Sequence, residues 1–132
     1  MMTKMRILVV EDQDAIRRMI EALLTARGHQ VIAAGNGAKA IELVLADSPD
    51  LVLLDLHLPG LIDGFEVCRR IRSFERTRSV PVFIISARDD DESRRQAAEA
   101  GATLYYGKPF SPTALLKQIE KLRADNKDAT RT

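Results

Sequence analysis

The chain of 132 residues has one cysteine, no tryptophan, no apolar run of membrane length and no excess of either charge, and each shortage removes a class of protein. A lone thiol, Cys68, can form neither an internal disulfide nor a cysteine-based metal site. Twenty Lys and Arg face nineteen Asp and Glu, a formal net charge of +1, so the basic excess of a dedicated nucleic-acid binder is missing. The longest apolar stretches, such as Leu51 to Leu54 and Val82 to Ile85, fall far short of the roughly 18 residues of a membrane span. The N-terminal segment carries no apolar signal-peptide core, and the expected address is the reducing cytoplasm. No proline-rich linker, low-complexity stretch or charge block divides the chain. A domain of this size buries roughly 68% of its unfolded-chain surface, enough for one hydrophobic core. The expectation is a single domain over 1–132, with a core of about 5–124 and a solvated tail over 125–132.

What is present is an alternation. Five short apolar runs, Ile7 to Val10, Val31 to Ala34, Leu51 to Leu54, Val82 to Ile85 and Leu104 to Tyr106, each precede a segment of helical character. Ile16, Met19, Ile20, Leu23 and Leu24 fall on one helical stripe, as do Leu115, Leu116, Ile119 and Leu122. Gly28 and Gly101 stand where helices should stop, and Ser111 followed by Pro112 makes an N-cap and first-turn pair. Strands that are apolar throughout need helices on both faces, and β-α-β crossovers make the sheet parallel. The pattern predicts an α/β fold with a doubly wound, open parallel sheet of five strands and five helices, which binds ligands at the carboxyl ends of its strands.

Chemistry-bearing residues stand at those ends. The first strand runs into Glu11 and Asp12, the third ends on Asp55, the fourth on Ser86, and the fifth is followed by Lys108 and Pro109. Two unit charges about 4 Å apart repel by roughly 4 kcal/mol at an effective dielectric of 20, so three clustered carboxylates are not held together for stability. A divalent cation relieves the repulsion, and an all-oxygen donor set suits Mg²⁺ or Mn²⁺ far better than zinc. Lysine and serine supply a point charge and a hydroxyl donor for a phosphoryl group. Asp55 stands alone on the central strand, whereas Glu11 and Asp12 form a pair suited to metal binding. Asp55 is therefore the candidate nucleophile toward phosphorus, forming an aspartyl phosphate, with Ser86 and Lys108 completing the charge neutralisation.

The set Val9-Val10-Glu11-Asp12, Leu53-Leu54-Asp55-Leu56-His57-Leu58-Pro59-Gly60, Asp63-Gly64-Phe65-Glu66-Val67, Ile85-Ser86-Ala87-Arg88 and Lys108-Pro109-Phe110 closely resembles the CheY-like receiver domain of bacterial two-component response regulators. The resemblance extends from about Met5 to about Ala124 and implies a flavodoxin-like (βα)5 arrangement with strand order 2-1-3-4-5. It implies that Asp55 accepts a phosphoryl group from a phosphohistidine of a sensor histidine kinase or histidine phosphotransfer protein. Asp12 would ligate Mg²⁺ directly, Glu11 through a coordinated water, Asp55 as a further ligand, and His57 by its backbone carbonyl. Lys108 would hold one phosphoryl oxygen, Ser86 would swing inward to bond another, and the Lys108-Pro109 bond would be cis. Tyr105 would be the aromatic that changes rotamer with Ser86, while Tyr106 points to the other side of the sheet. The readout surface would be the fourth helix, about Asp91 to Ala100, the fifth strand, and the fifth helix, about Ser111 to Ala124. The implied role is a phosphoacceptor switch that catalyses its own phosphorylation and slow dephosphorylation. It would signal to a downstream protein or a missing output domain, without binding nucleic acid or membrane itself, as a monomer or a phosphorylation-dependent dimer.

Two features depart from the family pattern. Leu61 and Ile62 both lie between Gly60 and Asp63 where one residue is common, and Thr103-Leu104 replaces acidic residues that help related receivers pair. Other residues receive plainer readings. The His57 side chain reads as an exposed loop residue near the acceptor, His29 as a turn residue, and Cys68 as buried packing with Phe65 and Ile71. Arg69, Arg70, Arg72, Arg76 and Arg78 read as a solvated basic face. An aspartyl-phosphate phosphatase of the haloacid dehalogenase type is the rival, but it wants a second acid two residues after the nucleophile, where His57 stands. A degenerate receiver acting only as a binding module is opposed by the complete set of acids, hydroxyl and lysine.

Overall fold

The computed structural model describes residues 4–129. Five strands, β1 (Arg6–Val10), β2 (Gln30–Ala34), β3 (Leu51–Leu54), β4 (Val82–Ser86) and β5 (Leu104–Gly107), alternate with five helices. The helices are α1 (Asp14–Ala26), α2 (Gly37–Asp47), α3 (Gly64–Ser73), α4 (Asp91–Glu99) and α5 (Pro112–Ala129). All strand pairs are parallel and the sheet order is β2-β1-β3-β4-β5, as the resemblance implies.

The apolar strands divide their side chains between two layers with period two. Leu8, Val10, Val52, Leu54, Val82 and Ile84 face Ala40, Val44, Val67, Cys68, Ile71 and Ala97 from α2, α3 and α4. Ile7, Val9, Leu51, Leu53, Phe83 and Ile85 face Ile20, Leu24, Leu115, Leu116 and Ile119 from α1 and α5. Tyr105 packs with the first layer and Tyr106 with the second, so the two rings lie on opposite faces as expected.

Local chemistry sets the helix ends. Asn36, Asp63, Asp90 and Ser111 each accept a backbone N–H of the following helix through a side-chain oxygen. Gly28 (φ +87°) and Gly101 (φ +101°) adopt left-handed backbone after α1 and α4. Gln13, at the start of α1, makes no side-chain cap.

One expectation needs correction and two gain detail. The segment expected to be tail from Asp125 continues α5 to Ala129, because it lacks Gly and Pro and helix propagation needs no apolar face; residues 130–132 of that tail lie outside the described residues. His29 occupies the turn after α1, yet it is buried, because α5 closes over it and brings Glu120 Oε1 to 3.9 Å from Nε2. Arg72 is not part of a solvated face. Its guanidinium donates to the carbonyls of Gly101, Arg78 and Val80 at 2.9, 3.1 and 2.6 Å, tying the end of α3 to the turns before β4 and β5. Arg69 and Arg70 do face outward, both paired with Glu66. Cys68 is fully buried, and desolvation raises the pKa of its thiol, as the packing reading requires. Among the described residues no helix is long and apolar enough to cross a membrane.

Candidate functional site

The parallel register brings the ends of β1, β3, β4 and β5 to one rim. Glu11 follows β1 and is buried, and each of its polar atoms is engaged. Its amide donates to the Ala34 carbonyl at 3.0 Å, its carbonyl accepts Arg17 Nη1 at 3.0 Å, its Oε2 accepts the Gln13 amide at 3.2 Å and its Oε1 accepts Lys108 Nζ at 2.7 Å. Asp12, the next residue, is exposed. Asp55 is buried one strand away: its amide donates to the Val10 carbonyl at 3.0 Å, and its Oδ1 accepts the His57 amide and its Oδ2 accepts Lys108 Nζ, both at 3.2 Å. His57 itself is exposed in the loop after β3.

One carboxylate oxygen each from Glu11, Asp12 and Asp55 lie within 4.8 Å of one another. Two oxygens on a single Mg²⁺ stand at most about 4.2 Å apart, twice the usual bond length of about 2.1 Å. The cluster therefore needs to close by well under about 1 Å to accept such an ion. Hard oxygen donors and an unrestrained Asp12 fit that cation. Lys108 is the resident counter-charge. Burial disfavours its ammonium, but the Glu11 hydrogen bond and the charges of Asp55 and Glu11 outweigh that penalty and raise its pKa.

Ser86 ends β4 fully buried, its Oγ accepting the Arg88 amide at 3.1 Å and its carbonyl accepting the Lys108 amide at 2.7 Å. The Lys108-Pro109 bond is cis. Tyr105 donates its hydroxyl to the Arg88 carbonyl at 2.5 Å.

A family profile described as the response regulator receiver domain matches residues 7–120. The chain belongs to this family. The transcriptional regulatory protein AfsQ1 of Streptomyces coelicolor is 42% identical to this receiver over 125 residues, covering 94% of the receiver and 54% of AfsQ1. Response regulator PleD of Caulobacter vibrioides is 40% identical over 117 residues, covering 89% of the receiver and 26% of PleD. The receiver thus spans about half or less of the length of these relatives. Among solved structures, the receiver domain of sensor histidine kinase PA1611 from Pseudomonas aeruginosa, with a magnesium ion coordinated in its active-site cleft, matches with a TM-score of 0.84 and 30% identity. That match covers 92% of this chain and 99% of the other.

Two residues outside the expected set join the receiver's site. Arg17 reaches back from α1 to the Glu11 carbonyl and to Asp14 Oδ1 at 2.5 Å, an (i, i+3) pairing visible in the sequence only once α1 is placed. Arg94 lies over the Tyr105 ring, 4.6 Å from its centroid, and pairs with Asp89 at 2.5 Å; nothing in their spacing announces that arrangement. The extra loop residue resolves into two opposite fates. Leu61 is wholly exposed, while Ile62 turns inward over α2, where a Cβ on Gly37 would meet its carbonyl oxygen at 2.6 Å. Thr103 accepts the Val82 amide through Oγ1 at 3.0 Å and so closes the start of β4.

Proposed function

We propose that this receiver accepts a phosphoryl group onto Asp55 from a phosphohistidine of a sensor histidine kinase or histidine phosphotransfer protein, in a reaction dependent on Mg²⁺ or Mn²⁺. The observation that carries the reading is the convergence of the Glu11, Asp12 and Asp55 oxygens within 4.8 Å, with Lys108 bonded to two of the three. An Asp55 oxygen attacks phosphorus, the P–N bond breaks, and its electron pair leaves on the imidazole. When bound, the cation neutralises the carboxylates and the transferring charge. Asp12 ligates it directly, Glu11 through water, Asp55 by a carboxylate oxygen and His57 by its carbonyl. Lys108 exchanges its hold on the carboxylates for a phosphoryl oxygen.

Ser86 turns its hydroxyl from the Arg88 amide toward the phosphoryl group, and Tyr105, bonded to the same Arg88, follows. Moving a switch from 1:99 to 99:1 requires about 5.5 kcal/mol of differential stabilisation. Charge-assisted bonds from Ser86 and Lys108, at roughly 1.5–3 kcal/mol each, supply that order. The altered surface of α4, β5 and α5 signals to a downstream protein or to an output domain of the kind that extends its longer relatives. Attack of water on phosphorus slowly returns Asp55 to its resting state. The receiver works in the cytoplasm, as a monomer or a phosphorylation-dependent dimer.

The test is intact-mass measurement after incubation with a small acyl phosphate and Mg²⁺. One added phosphoryl group is expected, absent without the cation and absent in Asp55→Asn. A wild-type chain that stays unmodified with both small donors and phosphorylated kinases overturns the reading in favour of a binding module.

A further inference from the structure

Of the three carboxylates in the acidic cluster, Glu11 and Asp55 are held by hydrogen bonds and Asp12 by none. Its side chain can turn about its own bonds, so what the structure holds of Asp12 is the backbone from which that carboxylate projects. The peptide that joins Glu11 to Asp12 presents the Glu11 carbonyl, and that carbonyl is held by Arg17 Nη1 at 3.0 Å. The usual device for fixing such a turn is missing, because Gln13 at the head of α1 makes no side-chain cap. The guanidinium also pairs with the exposed Asp14 at 2.5 Å, and it lies beside Gly35, about 4.0 Å from where a Cβ would stand.

We infer that Arg17 is a positioning residue for the cation pocket: its bond to the Glu11 carbonyl fixes the peptide carrying Asp12 and so aims that carboxylate at the ion. The inference rests on the Mg²⁺-dependent function proposed above. Loss of a partner that orients a ligand commonly costs about ten- to a hundredfold in metal affinity. The direction is diagnostic, since charge alone acts the other way. Asp14 neutralises Arg17, and removing the guanidinium leaves a further unpaired carboxylate close to the pocket, which by itself attracts a cation. Asp14 is exposed, so water screens this opposing effect and the positioning effect dominates.

The experiment titrates Mg²⁺ alone, by calorimetry and by backbone amide shifts, into the full chain as wild type, Arg17→Ala, Arg17→Gln and Asp14→Asn. Arg17→Ala is expected to bind about ten- to a hundredfold more weakly. Arg17→Gln, which keeps an amide donor, should fall between it and wild type, and serves alone if the alanine variant does not fold. Asp14→Asn should stay within about twofold of wild type, its exposed pair being a weak one. Unchanged or tighter Mg²⁺ binding by Arg17→Ala and Arg17→Gln overturns the inference, and so does equal weakening in Asp14→Asn, which would assign the effect to the ion pair. A wild-type chain that binds Mg²⁺ but gains no phosphoryl group refutes the proposed function and leaves the titration to decide on Arg17. A wild type that binds no Mg²⁺ refutes both.

Discussion

Ser86 and Tyr105 grip opposite ends of one residue: Ser86 Oγ accepts the Arg88 amide at 3.1 Å, and the Tyr105 hydroxyl donates to the Arg88 carbonyl at 2.5 Å. The two side chains come from adjacent strands, share Arg88 as a partner, and also interact directly through their hydroxyls. Replacing Ser86 with Ala removes one buried hydrogen bond, an expected loss of about 1 kcal/mol in denaturant unfolding. Its sharper consequence is uncoupling. NMR of the Tyr105 ring should show a phosphodonor-dependent shift in wild type and little or none in Ser86→Ala; an undiminished shift in the variant would show that Tyr105 responds by another route.

Lys108 is the cation on which Glu11 and Asp55 rely in the absence of metal. Lys108→Ala leaves two buried carboxylates facing Asp12 without compensation, and loss of one partner from such a pairing typically costs about 3–5 kcal/mol. The variant should melt well below wild type in metal-free buffer and recover much of that difference in millimolar Mg²⁺. Thermal melts with and without the ion measure both effects, and equal Mg²⁺ responses in the two proteins would contradict this account of Lys108.

Gly64 is required by contact rather than by backbone angle. A Cβ there would lie 2.4 Å from the Asp55 carbonyl oxygen and 2.6 Å from Leu56 Cα, both backbone atoms that cannot step aside. Gly64→Ala should therefore destabilise by about 1–3 kcal/mol and shift the acceptor strand end enough to weaken Mg²⁺ binding. Wild-type values in both unfolding and metal titration would show that α3 can move away freely.

His29 makes stability depend on pH. Both ring nitrogens are buried without a hydrogen-bond partner. Burial lowers the imidazole pKa from its ordinary 6.5; Glu120 pulls upward, and Arg123 and Arg27 add to the lowering. The folded state then binds fewer protons than the unfolded chain, so this contribution is fully present above about pH 6.5 and is lost as pH falls below it. His29→Leu removes both of these unsatisfied nitrogens. It should be neutral to stabilising at pH 7.5 and should flatten the decline between pH 7.5 and 5.0 in urea unfolding. A loss above about 1 kcal/mol at pH 7.5 would mean that the imidazole has a partner the protein needs.

The acids, hydroxyl and lysine of the site were legible in the sequence because each lies at or within two residues of the end of an apolar run, and parallel strands share one carboxyl edge. The two-layer core was legible for a related reason, since a fully apolar strand has two faces to cover. Arg72 was not, because the carbonyls it binds belong to residues six, eight and twenty-nine positions away, and only the packed turns bring them together. The turn position of His29 was legible too, but its burial was not, since that depends on α5, some ninety residues later in the chain. The extra residue between Gly60 and Asp63 could be counted, but which side chain would turn inward depends on the close packing of Ile62 against the bare backbone of Gly37.

Counting charge at the rim gives the acidic cluster a further meaning. Glu11, Asp12 and Asp55 carry three negative charges and Lys108 one positive, so the resting pocket holds two uncompensated negatives. A phosphodonor is itself an anion, and within the Debye length of about 8 Å at physiological salt it is repelled from such a rim. A divalent ion brings the count to zero, whereas a monovalent one leaves a negative remainder. Under the proposed function, the charge balance predicts an order of arrival, with the cation first and the phosphodonor second.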